Sequence, residues 1–408
     1  MIPVGDALAR VCEAVSVLGV ERVSLEGALG RVAAEDVVST RAVPAAANSA
    51  MDGYAVRHAD LGAAPARLRI VATEPAGTVV AALLTAGTAI KLFTGSVIPP
   101  GADTVVRVED TEERDGAVTV RVVPARGANV RAAGEDLRPG QVVVAARSVI
   151  GPADVGVLAS VGCLVPLVHQ RPRVAILSTG TELVEADEEP GPGQVVNSNA
   201  YTLAAAAREA GADPVVLPIV RDRRDEIHTR LAEALRADVV LTSGGVSVGD
   251  LDLVKDALDA VGVQRVFWQV AQKPGRPLAF GRLDRRLVFG LPGNPVSALV
   301  CFYVYVRAAL RGMQGDRRPH LPLVHATLAR AVRKAHGLTE FVRVQLAESA
   351  DGRIATPMTS QSSGVLSALG GAAALLVGPP ELDELPAGRP FPVIVLRDTT
   401  LAREAPPF

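Results

Sequence analysis

Apolar and polar positions change period along the chain, and each change marks a different kind of structure. The first period is helical: Leu8, Val11, Cys12, Val15 and Leu18 fall on one face, with Asp6 standing where a helix cap belongs. Past Leu25, the stretch Arg31-Val32-Ala33-Ala34-Glu35-Asp36-Val37 leads to an Ala/Pro-rich connector at 42–47. Between 68 and 123 the texture is β, with short Val/Ile/Leu/Thr runs separated by Gly, Pro and Asp and no helical repeat. Residues 141–145 read as a further strand and 154–160 as a short helix. The expectation is a β domain over 46–135, set into a mixed helical N-terminal domain made of 1–45 and 136–170.

After Arg171-Pro172, strands and helices alternate. Strands are predicted at 174–177, 215–220, 239–241 and 263–270, and helices at 198–210, 224–236, from 251 (Leu251, Val254, Leu258, Val261) and at 296–310. A hairpin is predicted about Asp284-Arg285. Such βα repeats imply a mostly parallel sheet that binds its ligand at the C-terminal strand ends. Asp316-Arg317-Arg318-Pro319 reads as a charged linker. Beyond it, strand-like runs at 324–328, 340–346, 374–377 and 391–396 make a small β domain over 317–408, so that 171–316 is the α/β domain. The fold class is multidomain α/β plus β.

Composition narrows the possible partners. At 408 residues the chain is too long for one ordinary core, and 49% hydrophobic against 21% charged residues is a folded composition. A formal net charge of −2 and 3% aromatics leave neither a basic field nor stacking platforms, so nucleic acid is not an expected partner. Cys12, Cys163 and Cys301 are far apart, without a CxxC pair, and read as core residues of a reducing compartment. The first residues show no secretory pattern. The uncharged run 287–306 is broken by Pro292-Gly293-Asn294-Pro295, which is expected to leave too short a helix to span a bilayer, and a cytoplasmic protein is expected.

The polar loops between the α/β elements carry the candidate chemistry. Thr242-Ser243-Gly244-Gly245-Val246-Ser247-Val248-Gly249-Asp250-Leu251-Asp252 links a buried strand to a helix. It is either a glycine turn with Asp250 as helix cap, or an N–H cradle for a phosphate-like anion beside carboxylates suited to Mg²⁺. Glu182 and Asp222 add carboxylates at the same edge. Lys273 and Arg276 bring cations fixed by prolines, and Gly293-Asn294 precedes a helix start with Ser297 in its first turn. In the N-terminal part, Asp52 stands on an Asp-Gly turn, and Thr94 ends a strand. Gly245-Val246-Ser247-Val248-Gly249 also spells a serine-hydrolase elbow, but the later histidines, His320, His325 and His336, all lie beyond the linker and follow no strand of the sheet. His58, His169 and His228 are isolated, and no Walker lysine motif occurs.

Taken together, NSAMDGYAVR (48–57), Phe93-Thr94-Gly95 with Pro100-Gly101-Ala102-Asp103, Gly134-Glu135-Asp136, STGTEL (178–183), SGGVSVGDLD (243–252), KPGRP (273–277) and GLPGNPVS (290–297) resemble the molybdopterin molybdenumtransferases, the MoeA/gephyrin family. The resemblance implies a homodimer with its active cleft shared across the dimer, and an α/β domain similar to the molybdopterin adenylyltransferases, which are themselves possible partners. It implies the insertion of molybdate into adenylylated molybdopterin with Mg²⁺ and release of AMP. By motif position, Ser243, Gly244, Gly245, Ser247, Asp250 and Asn294 would bind the adenylylated pterin, and Asp222 and Asp252 would hold Mg²⁺. Lys273, Arg276, Pro277 and Ser297 would form a molybdate pocket, joined by Arg343 and Ser363. Asp52, Thr94, Arg131, Asp136 and Glu182 would line the cleft. Four departures stand out: Ala46-Ala47 where relatives often have Phe-Asp, Ala132-Ala133 after Arg131 where relatives are often polar or basic, Gln269 where some have lysine, and Arg276 in place of a lysine, keeping charge while changing hydrogen-bond geometry. A gephyrin-like scaffold, or a nucleotide pyrophosphatase or adenylyltransferase, are the alternatives.

Overall fold

A computed structural model of the chain describes residues 1–78, 83–244 and 253–397. Two compact units emerge: Met1–Glu21, Gly30–Ala34 and Val168–Phe408 form the first, and Arg22–Leu29 with Glu35–Leu167 the second.

The first unit is built on a six-stranded sheet in the order Asp213–Val216, Arg173–Ser178, Val239–Ser243, Arg286–Leu291, Ala279–Leu283, Gln264–Phe267. The first four strands run parallel, and the hairpin about Asp284 adds the antiparallel edge. Its central strands are buried almost throughout, as expected when both faces are covered. Alternate residues divide between two cores. Val174, Ile176, Val239, Leu241, Phe289 and Leu291 meet the helices Val4–Glu13, Ser198–Glu209 and Pro295–Met313. Ala175, Leu177, Val240 and Val288 meet Ile227 and Leu231 of helix Arg224–Ala234 and Leu258 of helix Leu253–Ala260.

Several local expectations change. The first helix begins after Pro3, placing Asp6 in its first turn rather than at the cap, and ends at Glu13. Val15 and Leu18 still pack on the same core, whereas Cys12 is exposed and Cys163 half-buried; only Cys301 is a core thiol. The apolar run after residue 287 becomes strand Arg286–Leu291 and then a helix, Pro295–Met313, of 19 residues. That helix is long enough to span a bilayer, yet 78% of its apolar window is buried inside the protein, so it is a core helix. Asp316 is no solvated linker residue: its Oδ2 accepts from the buried Arg311 at 2.8 Å and 2.9 Å.

The C-terminal part of this unit is a β-sheet that closes on itself. Strands Thr339–Ser349, Gly352–Pro357, Leu323–Leu328, Pro390–Val395 and Ala374–Gly378 follow one another, and the last pairs back to the first. Val342, Val344, Leu328, Leu376 and Val393 fill it. The short strand Gln272–Lys273 leaves the α/β part and pairs in parallel with Thr339 and Glu340. That pairing brings the 273–277 loop to this domain.

The second unit holds another six-stranded sheet, ordered Thr104–Arg107, Gly53–Val56, Thr88–Leu92, Ala66–Glu74, Ala117–Val120, Thr111–Arg114. Tyr54, Val56, Leu68, Val106 and Val118 form its core. Asp52-Gly53 is not a two-residue hairpin turn, since Gly53 opens a strand paired on both sides. Strand Asn48–Ser49 pairs separately with Val130–Arg131, bringing Asn48 opposite Arg131.

Candidate functional site

Two adjoining cavities open in the first unit. The larger, of about 740 Å³, lies at the C-terminal ends of the parallel strands and is lined by Thr179, Glu182, Asn199, Ser243, Gly244 and Asn294, among others. Register explains the convergence: Ser178 pairs with Ser243 and Ser243 with Leu291, so three chains leave the sheet at one level. Gly244 takes φ +88°, and a Cβ there would fall 2.5 Å from the Thr179 carbonyl oxygen. Only glycine allows that approach. Asn199 Nδ2 donates to Ser243 Oγ at 2.7 Å and to the Gly293 carbonyl at 2.8 Å, tying a helix start to two strand-end loops.

The second cavity, of about 510 Å³, shares Pro277 with the first. Lys273, Arg276, Ser297, Glu340, Arg343 and Ser363 line it. Three cations against one carboxylate leave it positive. Lys273 Nζ lies 3.2 Å from Oε1 of the buried Glu340. Arg343 is fully buried, and its Nη2 donates to the carbonyls of Ser360 at 3.1 Å and Ser362 at 3.2 Å. Burial pushes its pKa down while Glu340 pulls it back up; an arginine starts so high that it stays charged. Arg343 Nε and Nη1 and Glu340 Oε2 are buried with no hydrogen-bond partner among the described residues. Asn294 occupies the N-cap position of the Pro295 helix without a side-chain capping bond and instead donates to Ser363 Oγ at 3.1 Å, while Val296 N donates to the Ser363 carbonyl at 3.1 Å. The positive end of that helix therefore meets both cavities.

Three side chains here carry no motif signal: Gln272, Tyr305 and Glu340. Each is a polar residue beside or within an apolar run, which is the one cue the sequence offers. Asp222 does not join the lining of either cavity. Its Oδ2 accepts from Thr181 N at 3.1 Å and Oγ1 at 3.0 Å, while Arg221 Nη1 donates to the carbonyls of Thr181 and Leu183. Gly245, Ser247, Asp250 and Asp252 lie outside the described residues. Among the described residues no three Asp, Glu, His or Cys gather as a metal site.

Against this geometry the comparisons with known proteins are direct. The MoeA N-terminal region (domain I and II) matches residues 2–162, a probable molybdopterin binding domain 175–312, and the MoeA C-terminal region (domain IV) 325–396. A molybdopterin molybdenumtransferase of Bacillus subtilis is 32% identical, covering 97% of this chain and 94% of the relative. The chain belongs to the molybdopterin molybdenumtransferase family. Members of this enzyme family from Nostoc (39% identical, over 72% of this chain and 70% of that one) and Haemophilus influenzae (37%, over 79% and 80%) are also similar. A crystal structure titled as the molybdopterin biosynthesis moeA protein from Pyrococcus horikoshii superposes with a TM-score of 0.83 at 30% identity, covering 97% of this chain and 100% of that one.

In the second unit, Arg131 and Asp136 line a cavity of about 490 Å³ together with Asn48 and Glu135. Asp52 Oδ1 accepts from Thr94 N at 2.7 Å and Thr94 Oγ1 at 2.8 Å, and these bonds hold its carboxyl below the usual range. Thr94→Val removes the hydroxyl donor and keeps the backbone one, so the Asp52 pKa should rise part of the way back. The depressed pKa contributes stability that is fully present above the unfolded-state value and is lost as pH falls through the folded one; with the folded value raised, the contribution should be smaller and its loss complete at a higher pH. Carboxyl NMR titration measures this, and an unmoved Asp52 would show that the hydroxyl has no part in it.

Proposed function

We propose that this chain inserts molybdate into adenylylated molybdopterin and releases AMP, as a transferase of molybdenum cofactor biosynthesis acting in the cytoplasm as a homodimer. The observation that carries the reading is the cation-lined cavity: a buried guanidinium with two N–H-bearing nitrogens unengaged stands beside Lys273, one proline from the polar cavity at the strand ends. A tetrahedral dianion suits the first and a phosphate-bearing pterin the second. In this reading Lys273, Arg276, Ser297 and Arg343 bind molybdate, with Pro277 and Ser363 shaping the pocket. Ser243, Gly244 and Asn294 orient the adenylylated pterin, and Glu182 faces it. Asp52, whose carboxyl Thr94 holds below the usual range, and Asp136 with Arg131 are proposed on motif position to take part in the reaction. Mg²⁺, when bound, would offset phosphate charge, and Asp222 and Asp252 are proposed on motif position to hold it. Contact with a molybdopterin adenylyltransferase belongs to the same proposal.

Purified protein given adenylylated molybdopterin, Mg²⁺ and molybdate should release AMP. No release above a blank lacking molybdate would refute the reading. Asp252→Ala should raise the Mg²⁺ needed for half-maximal rate by about tenfold or more, a minimum for losing a ligand when second-shell losses alone cost this much.

A further inference from the structure

We propose that Gln272 is the positioning residue of the oxyanion cavity, holding the loop that carries Lys273 and Arg276, and that Tyr305 in turn holds Gln272. The inference rests on the reading of that cavity as the molybdate pocket. Gln272 is fully buried, and its Nε2 donates to the carbonyls of Pro274 at 3.1 Å and Gly275 at 3.2 Å, with Cys301 Sγ at 3.4 Å. Its Oε1 accepts from the Tyr305 hydroxyl. A carboxamide has two N–H donors and one carbonyl, and all are engaged. Both carbonyls it grips lie between the two cationic residues.

The packing around the loop leaves no slack. Gly275 takes φ +89°, and a Cβ there would lie 2.5 Å from Cys301 Sγ and 2.8 Å from Gln272 Nε2. The loop backbone thus rests directly on these side chains. Tyr305 is itself fully buried, in the stretch Phe302–Val306 where the core helix widens to a π-helical turn. Such turns are uncommon and frequently sit at functional sites. Burial pushes the Tyr305 phenol up, so it remains a donor, and the buried Cys301 thiol is pushed up to about 12 and remains neutral.

The plain alternative is a core amide that happens to be satisfied. Burying a carboxamide without need is costly, and an aliphatic side chain of similar size would fill the space without that cost. Two of the three acceptors of Gln272 Nε2 are carbonyls of the cation-bearing loop, and only the third, Cys301 Sγ, belongs to the core helix. Its loss should therefore act on the oxyanion and spare the pterin substrate, which the other cavity serves.

The test compares wild type, Gln272→Leu and Tyr305→Phe by AMP release, with KM measured for each substrate, and by calorimetric titration of molybdate alone. Gln272→Leu is expected to raise both the molybdate KM and its Kd by about tenfold. The KM for adenylylated molybdopterin, and kcat at saturating molybdate, should stay within about twofold, which loss of a merely structural residue would not produce. Tyr305→Phe should shift molybdate in the same direction by about threefold, since Gln272 keeps its donors; it decides the matter alone if Gln272→Leu does not fold. Folded variants with a wild-type molybdate KM, or with both KM values raised alike, would overturn the inference. Wild-type protein that binds no molybdate would instead overturn the reading of the cavity, and this inference with it.

Discussion

Lys273→Ala is expected to raise the molybdate concentration for half-maximal AMP release by about 30-fold. A hydrogen bond to a charged group contributes roughly 1.5–3 kcal/mol, and about 2 kcal/mol corresponds to about 30-fold. The lower half of that range applies because the Lys273 side chain is half exposed and its ammonium already faces Glu340. The substitution acts twice. It removes a donor proposed for the anion, and it leaves the buried Glu340 carboxylate without its ion-pair partner, in a cavity proposed to accept negative charge. Lys273→Ala combined with Glu340→Gln should therefore recover part of the loss, a non-additivity that a double-mutant cycle reads directly. An unchanged molybdate KM in the single variant would remove Lys273 from the anion's surroundings.

The α/β sheet was legible because strands covered on both faces leave unbroken apolar runs, as at Val239–Ser243, and because its hairpin announces itself at Asp284, whose φ is +54°. From alternating strands and helices follows the parallel order, and from that order the edge where loops gather. The cation-lined cavity was not legible in the same way. It exists because Gln272–Lys273 pairs with Thr339–Glu340, a contact between distant segments that no local periodicity encodes. Arg343 could accordingly be placed only by resemblance, and Glu340 and Gln272 not at all.

Local misreadings have equally physical causes. Apolar spacing continued past Glu13 because Val15 and Leu18 reach the core from a non-helical segment, and Cys12 borrowed their apparent face. Asp316 reads as part of a charged linker with Arg317 and Arg318, yet it lies against the buried Arg311 five residues earlier. Asp222 is a different case: one of its oxygens accepts from the Thr181 turn, a contact that spacing does not encode.

Arg343→Met is expected to abolish the response to molybdate more completely than it harms the fold. Methionine follows the aliphatic stem but donates nothing, so the carbonyls of Ser360 and Ser362 lose charge-assisted bonds contributing roughly 3 kcal/mol together. Against this, a fully buried guanidinium with Nε and Nη1 unpartnered carries a desolvation cost that the variant removes. The two effects oppose, and a net loss of about 1–2 kcal/mol is expected, within the ordinary range for a single substitution. Function has no such compensation, because the variant removes one of the three cations that line the cavity. Molybdate at about 100 times its Kd should stabilise the wild-type protein by about 2.7 kcal/mol. In Arg343→Met that increment should vanish, whereas Arg343→Lys, which keeps the charge but not the planar fork, should retain a reduced part of it. Thermal unfolding with and without molybdate measures all three proteins, and an undiminished increment in Arg343→Met would mean that the guanidinium serves the fold alone.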